Sequence, residues 1–541
     1  VTDPDVVVVG AGSSGAVVAG RLSEAGVRVL LLEAGGSDRR FWLQVPIGYG
    51  KAFFDPRVNW MHRSEPEDAL AGRRGYWPRG KVLGGSSSIN AMVFVRGQPA
   101  DYDDWRSAGN PGWGWDDVLP YFRRMEDSER AEDAWRARGG PVHVSDVARD
   151  LHPLCRNFVA AGVELGYAAV DDFNGANGEG VGPYEITTRD GRRMSTARAY
   201  LEPAHGRATL AIETGVLATR VIFEGTRAVG VAWRRGGVEH VTRAQRAVLL
   251  CAGAIGSPLL LQRSGVGDPA RLAALGIEAR VPCPAVGAHL QDHLCIDHVY
   301  RARVPTLNEE LGPWPAKLKA GLRYLVQRRG PLALSVNQAG GFVRSRPGLA
   351  RPDMQLYFSP LSYTRTPPGV RPLMRPDPFP GFLLSAQPCR PASRGRVDLA
   401  SPDPRAEPRI APGSLSARGD LEALVAGSRL LRRFAATSAL AGVIDGELAP
   451  GRAIEDDAAL AEDVRRRAST VFHPVGTCRM GPDPRDAVVD ARLRVHGVEG
   501  LRVIDASIFP SITSGNTNAP AIMVGEKGAD LVLADLRGDG R

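Results

Sequence analysis

Cysteine is scarce in this chain. Six of 541 residues are cysteine, and Cys155, Cys251, Cys283, Cys295, Cys389 and Cys478 show no CxxC or other metal-ligand spacing. That argues against a zinc site or a disulfide scaffold, so no metal is expected and the thiols read as free in a reducing compartment. No apolar run reaches the roughly 18 residues of a spanning helix. The sequence enters the strand-like run Val6–Val9 almost at once, which leaves no room for a signal peptide. The expected compartment is the cytoplasm, with loose attachment to a membrane surface left open. The net charge of +8 comes nearly all from arginine. Those arginines are scattered and accompany no nucleic-acid motif, so neither DNA nor RNA is an expected partner.

What remains is an ordinary globular composition, 43% hydrophobic and 24% charged, on a chain long enough for two domains. The opening reads strand, turn, helix, strand. Val6–Val9 is a continuous apolar run, as in a buried parallel strand. A helix is expected over 16–25, stopped by Gly26, and a second strand over 27–32. Residues 35–115 read as long ordered loops. Residues 347–412 are dense in proline, with strand-like pieces at 354–358 and 382–386, which suits an antiparallel sheet with many turns. A last helix is expected over 521–536. The fold class is α/β, α+β overall.

Gly10-Ala11-Gly12-Ser13-Ser14-Gly15 matches G-x-G-x-x-G, placed after a strand and opening a helix. Gly10 permits the tight turn, Gly12 lets the backbone approach a pyrophosphate, and Gly15 lets helix and strand pack closely. The helix N-terminus offers free N–H groups to phosphate. Glu33 follows the second strand at the spacing of a ribose-binding acid. This predicts a bound dinucleotide in a Rossmann-type domain, and leaves FAD and NAD equally open.

Gly80-Lys81-Val82-Leu83-Gly84-Gly85-Ser86-Ser87-Ser88-Ile89-Asn90, followed by Phe94 and Gly97, resembles the first signature of the glucose–methanol–choline (GMC) oxidoreductase family. The segment from Gly253 to Gly267, Gly-Ala-Ile-Gly-Ser-Pro-Leu-Leu-Leu-Gln-Arg-Ser-Gly-Val-Gly, resembles the second. In that segment Ser257 is expected to cap a helix, Pro258 to sit in its first turn and Gly265 to end it. The resemblance spans nearly the whole chain. It implies FAD, and a discontinuous FAD-binding domain over 1–155, 206–300 and 470–541. A substrate domain with an antiparallel sheet is expected over 156–205 and 301–469. The FAD contacts it implies are the Gly10, Gly12, Ser13, Ser14 and Gly15 turn, with Glu33 and Ala34 beyond it. Val82, Gly84, Gly85, Asn90 and Val93 follow from the second loop, then Val216, Asp505, Ala506 and Thr517.

Val471-Phe472-His473-Pro474-Val475-Gly476 resembles the family segment that carries the active-site histidine, which falls on His473. Ser514-Gly515-Asn516-Thr517-Asn518-Ala519-Pro520 resembles the segment supplying a second polar residue, which falls on Asn516 with Asn518 as the competing choice. Alcohol oxidation removes a hydroxyl proton and a hydride from one carbon. An imidazole can take the proton near working pH, an amide can hold the oxygen as charge grows on it, and the flavin takes the hydride. His289 and His293 fall in a stretch the family uses as a structural turn and are left outside the catalytic pair. Ile89 stands where some members attach FAD through histidine. It has no nucleophilic atom, so the FAD is expected to be non-covalent.

The expected substrate is a small primary alcohol, on the choline-dehydrogenase and aliphatic-alcohol-dehydrogenase side of the family. The expected acceptor is oxygen or a quinone-type redox carrier. A choline ammonium would want an aromatic cage, for which Tyr357, Phe358, Tyr363 and Phe472 are available. A hydroxynitrile lyase, in which the flavin does no redox work, is the reading from another class.

Overall fold

Four consecutive valines, Val6–Val9, are buried and form the middle strand of a five-stranded parallel sheet. The strand order is Leu210–Thr214, Val29–Glu33, Val6–Val9, Ala247–Leu250 and Leu501–Val503. Three of these strands are apolar without alternation because both faces of the sheet are covered. At roughly 1.5–3 kcal/mol per buried aliphatic side chain, this run is a major stabilising element. In this computed structural model, residues 3–364 and 375–538 are described. Part of the proline-dense 347–412 stretch, residues 365–374, lies outside them.

The sheet gathers strands from sequence positions almost 500 residues apart, and its helices do the same. The helix Ser13–Glu24 packs on the terminal helix Asn518–Arg537. A Cβ at Gly525 would lie 2.9 Å from the Ser14 carbonyl oxygen, so the two backbones approach closely. Glu526, fully buried, receives Arg21 at 2.9 Å, Arg124 at 2.7 Å and the Tyr200 hydroxyl at 2.7 Å. Removing one partner of such a buried cluster costs roughly 3–5 kcal/mol.

The second layer is a seven-stranded sheet. Its main path runs Ile444–Ala449, Leu294–Ala302, Gly381–Pro388, Met354–Ser359, Ala339–Val343 and Gly180–Pro183, with Ser469–Thr470 pairing on Leu294–Ala302. Its strand pairs are antiparallel. Side chains alternate along Met354–Ser359. Met354, Leu356 and Phe358 enter a hydrophobic cluster with the helices Leu154–Glu164 and Arg418–Ala436. The odd positions Gln355 and Tyr357 face the other way.

Three sequence expectations shift. The first helix begins at Ser13, inside the glycine motif, because Gly12 serves as its N-cap. The helix of the second signature runs Gly253–Arg263, so Ser257 and Pro258 are interior. Interior proline leaves the carbonyl four residues back without its helical donor. Here the Thr477 hydroxyl donates to the Ala254 carbonyl at 2.6 Å instead. Capping falls to Asp505, whose carboxylate accepts from the Gly253 N–H at 2.9 Å and the Ser257 hydroxyl at 2.6 Å. The 35–115 region also holds the helices Phe41–Gln44, Tyr49–Ala52 and Pro99–Ser107, and at the start of the last the Asp101 carboxylate accepts from the Gln98 N–H at 2.9 Å.

Candidate active site

The glycine turn and the second glycine loop touch. A Cβ on Gly85 would lie 2.6 Å from the Gly12 Cα, and the Gly84 N–H donates to the Ala11 carbonyl at 2.8 Å. Gly15 is equally constrained: a Cβ there would meet the Gly10 carbonyl oxygen at 1.9 Å. Over Gly12 itself the nearest atoms to an added Cβ are 4.0 Å away, which leaves room beside an N-terminus with no side-chain cap. Glu33 is buried. Its carboxylate accepts from the Ala11 N–H at 2.9 Å and the Gly35 N–H at 2.7 Å, and burial pushes its pKa up to about 7.

A cavity of about 500 Å³ runs from this turn to His473. Of the residues expected at the cofactor, Gly10, Gly12, Ser13, Ser14, Glu33 and Ala34 line it at one end. Gly85, Asn90, Val93 and Val216 line its wall, together with Asp505, Ala506 and Thr517. Gly15, Val82 and Gly84 stand behind the lining. Ile89 is part of it. Arg193, which no motif marks, braces the second loop. It is fully buried, donates to the Asn90 side-chain oxygen at 2.7 Å and to the Ser87 carbonyl at 3.2 Å, and burial lowers its pKa to about 9.

His473 and Asn516 meet at the other end, with His473 Nε2 3.2 Å from Asn516 Nδ2. Asn518 instead accepts from the Ser13 hydroxyl at 2.7 Å, beside the glycine turn. His473 is aimed by its backbone. Phe472 holds φ +72, a left-handed conformation unusual for an aromatic residue. Its carbonyl accepts from Arg79 at 2.5 Å, and its ring packs edge-on to Phe53. The His473 N–H donates to Asp292 at 2.7 Å, and the Thr470 hydroxyl donates to the other oxygen of the same carboxylate. Burial raises the Asp292 pKa to about 7 and lowers that of Arg79 to about 10.

Behind His473 stands His293, with the two Nδ1 atoms 3.0 Å apart. The segments that carry them run antiparallel: Gln291 pairs with Val475, and Leu294 with Thr470. His293 Nε2 lies 2.9 Å from the Cys389 carbonyl oxygen. On the far side of the pair, Gln355 donates to the Asn516 side-chain oxygen at 3.3 Å and to the Tyr184 hydroxyl at 3.2 Å. That hydroxyl spends its own proton on the Leu356 carbonyl at 2.7 Å.

These contacts form one directed chain. A carbonyl only accepts. The Cys389 carbonyl therefore needs a proton on His293 Nε2, so neutral His293 has a bare Nδ1. Burial holds His293 neutral, its pKa lowered to about 4. His473 then carries its proton on Nδ1, and its Nε2 lone pair faces the cavity. The Leu356 carbonyl fixes the same direction from the other end, turning the Asn516 NH₂ towards that lone pair.

Tyr49, Phe53, Tyr357, Tyr363 and Phe472 also line the cavity, alongside Arg79, Met92 and Asn337. Phe358 points into the core on the opposite face of its strand. Among the described lining residues the carboxylates are Glu33, Asp505 and Glu407. His289 pairs with Asp486 at 2.9 Å and does not line the cavity. Among the described residues no cluster of His, Cys, Asp or Glu has the makings of a metal site, and no helix is long and apolar enough to cross a membrane.

Comparison with known proteins gives the family and the fold. Two family models described as GMC oxidoreductase match residues 4–295 and 391–525. The chain is 41% identical over 534 residues to an oxygen-dependent choline dehydrogenase of Rhizobium etli, covering 98% of this chain and 95% of the relative. It is 42% identical over 540 residues to the mitochondrial choline dehydrogenase of Homo sapiens, covering 97% and 89%. Among solved structures, pyridoxine 4-oxidase from Mesorbium loti superposes with a TM-score of 0.87 at 32% identity, covering 98% of this chain and 99% of that one.

Proposed function

Because this chain belongs to the GMC oxidoreductase family, we propose that it oxidises a primary alcohol to the aldehyde, with His473 as the base and Asn516 holding the alcohol oxygen. FAD-dependent oxidation at a CH–OH carbon is the activity class. The observation that carries the residue assignment is the unprotonated Nε2 of His473, which accepts from the Asn516 amide at 3.2 Å. An alcohol oxygen that sits beside both and takes over their contact gives its proton to Nε2 and accepts from the Asn516 N–H as negative charge grows. Nδ1–H stays bonded to His293 throughout, so the ring keeps its orientation while Nε2 gains the proton.

The residues present fit FAD. Open space over Gly12 and the uncapped helix N-terminus suit a pyrophosphate. The remaining Glu33 lone pairs suit a ribose. The wall of small residues at Gly85 and Ala506 leaves room for a flat ring. When bound, FAD supplies the acceptor for the hydride. We assign it to a non-covalent state, because Ile89 offers no atom for a linkage. We divide the chain as its resemblance suggests, into an FAD domain of 1–155, 206–300 and 470–541 and a substrate domain of the rest. Six free, buried cysteines support a reducing compartment, and we place the enzyme in the cytoplasm.

The rings near His473 favour a substrate with an apolar or aromatic body. Choline is the second reading. It is favoured by those same rings, which attract a quaternary ammonium, and by the names of the relatives. An anaerobic screen of aliphatic alcohols, benzylic alcohols and choline tests all of this. Bleaching of the oxidised flavin spectrum with stoichiometric aldehyde is expected, and readmitted oxygen or an added quinone identifies the acceptor. Substrate cleavage with the oxidised spectrum intact would instead identify a lyase.

A further inference from the structure

Helix Trp314–Gln327 is apolar on two opposite faces. On one, Ala320 and Tyr324 join Val45, Ile47, Tyr49 and Phe53 in a buried cluster. On the other, Trp314, Leu318, Leu322, Leu325 and Val326 are 73%, 49%, 54%, 56% and 80% exposed. At about 100° of turn per residue, these five fill a continuous arc of about 120° centred opposite Ala320 and Tyr324. Isolated exposed apolar residues are normal, whereas a contiguous stripe marks an interaction surface.

The edges of the stripe are basic. Lys317 lies on one side, Lys319 and Arg323 on the other, and Arg328 and Arg329 follow the last turn. No acid occurs between Trp314 and Gly330. Lys51 adds to the patch. Its ammonium sits 3.5 Å from the centroid of the Trp42 ring, and its pKa is lowered by burial and then by the charge of Lys317. The segment bearing Lys51 also exposes Phe41 and Phe54. Three of the five lysines in this arginine-rich chain therefore lie in one place.

We propose that this face docks the enzyme on an anionic lipid bilayer. The apolar stripe enters the boundary between headgroups and acyl chains, and the long basic side chains reach back to the headgroup charges. Charge decides against a second copy of the chain as the occupant. Apposing two such stripes would set their cationic edges against each other. The buried face of the same helix belongs to the cluster of Tyr49 and Phe53, which line the cavity beside His473. A lipid-dissolved redox carrier would therefore meet the protein on the side of its site. That last step rests on the proposed function; the docking does not.

The test is co-sedimentation of the holoenzyme with extruded vesicles of phosphatidylcholine, alone or with about 30% phosphatidylglycerol. Anionic vesicles should bind on the order of tenfold or more tightly than neutral ones. About 1 M salt, which shortens the screening length to about 3 Å, should weaken this binding. The double change Leu322→Glu and Val326→Glu alters only exposed side chains, so flavin absorbance and melting temperature should hold while vesicle binding falls at least about tenfold. Lys317→Gln, Lys319→Gln and Arg323→Gln together should cost on the order of 100-fold on anionic vesicles and little on neutral ones. Enzyme that stays in the supernatant with anionic vesicles at low salt overturns the proposal. So does binding that survives the double change. A dimer in sedimentation velocity that the double change dissolves also overturns it, and assigns the stripe to contact between copies.

Discussion

His293 and His473 face each other through their Nδ1 atoms at 3.0 Å, with Nε2 of His293 held on the Cys389 carbonyl. Two imidazoles can meet this way only if one gives a proton and the other accepts it. The carbonyl settles which. His293 is thus a positioning residue that selects the tautomer of its neighbour, and Nε2 of His473 is left unprotonated at the cavity, facing the Asn516 amide.

Replacing His293 tests that role. His293→Ala should retain FAD and slow anaerobic flavin reduction on the order of 10- to 100-fold, as loss of an orienting partner commonly does. A purely structural His293 would lower the melting temperature and leave the rate per bound flavin unchanged. His293→Asn offers a smaller acceptor on the same side and should recover part of the rate.

The pair at the cavity separates by size of effect. His473→Ala should lose on the order of 10² to 10⁴ in flavin reduction rate, the usual range for a positioned base. Asn516→Ala removes one hydrogen bond to the oxygen and should cost less. Asn518 bonds to Ser13 beside the glycine turn, so Asn518→Ala should reduce FAD retention more than the rate per bound flavin. Stopped-flow reduction with matched flavin content separates these outcomes. A parent-like rate in His473→Ala would overturn the assignment of the base.

Burial of His293 also makes stability depend on pH. Its folded pKa of about 4 lies below the ordinary value of 6.5. The unfolded chain therefore takes a proton first as pH falls. The stability that the neutral ring contributes is intact above about pH 6.5 and is lost progressively down to about pH 4. Asp292 has the opposite sign: its folded pKa of about 7 lies above the ordinary 3.8, so its contribution is present below about pH 3.8 and is lost progressively as pH rises to about 7. The informative quantity is the stability difference between parent and His293→Asn in urea. It should shrink from pH 6.5 to 4, by at most about 3 kcal/mol. A constant difference would show that His293 is not held neutral.

The sequence made the cofactor end legible because backbone geometry there demands glycine. Gly10 at φ +99 and the contact of Gly85 with Gly12 leave no space for a side chain, so the motif is written in the residues themselves. The end proposed as catalytic was legible only in part. His473 and Asn516 stood in recognisable segments. The chain that orients them runs through Gln355, Tyr184 and the Cys389 carbonyl, on or directly after strands of another layer with ordinary composition. His293 sat in a stretch that reads as a turn, and the pairings of Gln291 with Val475 and Leu294 with Thr470 bring it beside His473. Pro258 misled because its missing N–H is compensated by Thr477, more than 200 residues away. The basic helix over 314–327 shows no motif. Its meaning lies in which face is left uncovered, and sequence periodicity does not tell a buried apolar face from an exposed one.

The flavin cradle is built from backbone contacts at the two glycine loops and has no nucleophile at Ile89. Its weakest point is the contact of Gly85 with Gly12. Gly85→Ala adds a methyl carbon 2.6 Å from the Gly12 Cα, at a φ of +53 that already disfavours a side chain. Neither backbone can retreat, because the Gly84 N–H is bonded to the Ala11 carbonyl and the Gly85 N–H to the Val82 carbonyl. The variant should fold, since the parallel sheet lies beneath both loops, and it should purify largely colourless. Gly84→Ala is a comparison in which the added carbon meets the Ser88 hydroxyl at 2.3 Å, a side chain that can rotate away. It should lose less FAD, although its own φ of +83 also costs some stability. The parent should release all its yellow colour into the supernatant on acid precipitation. Colour retained in the precipitate would mean a covalent bond from a residue other than Ile89. Full flavin content in Gly85→Ala would mean that the two loops separate more readily than their hydrogen bonds imply.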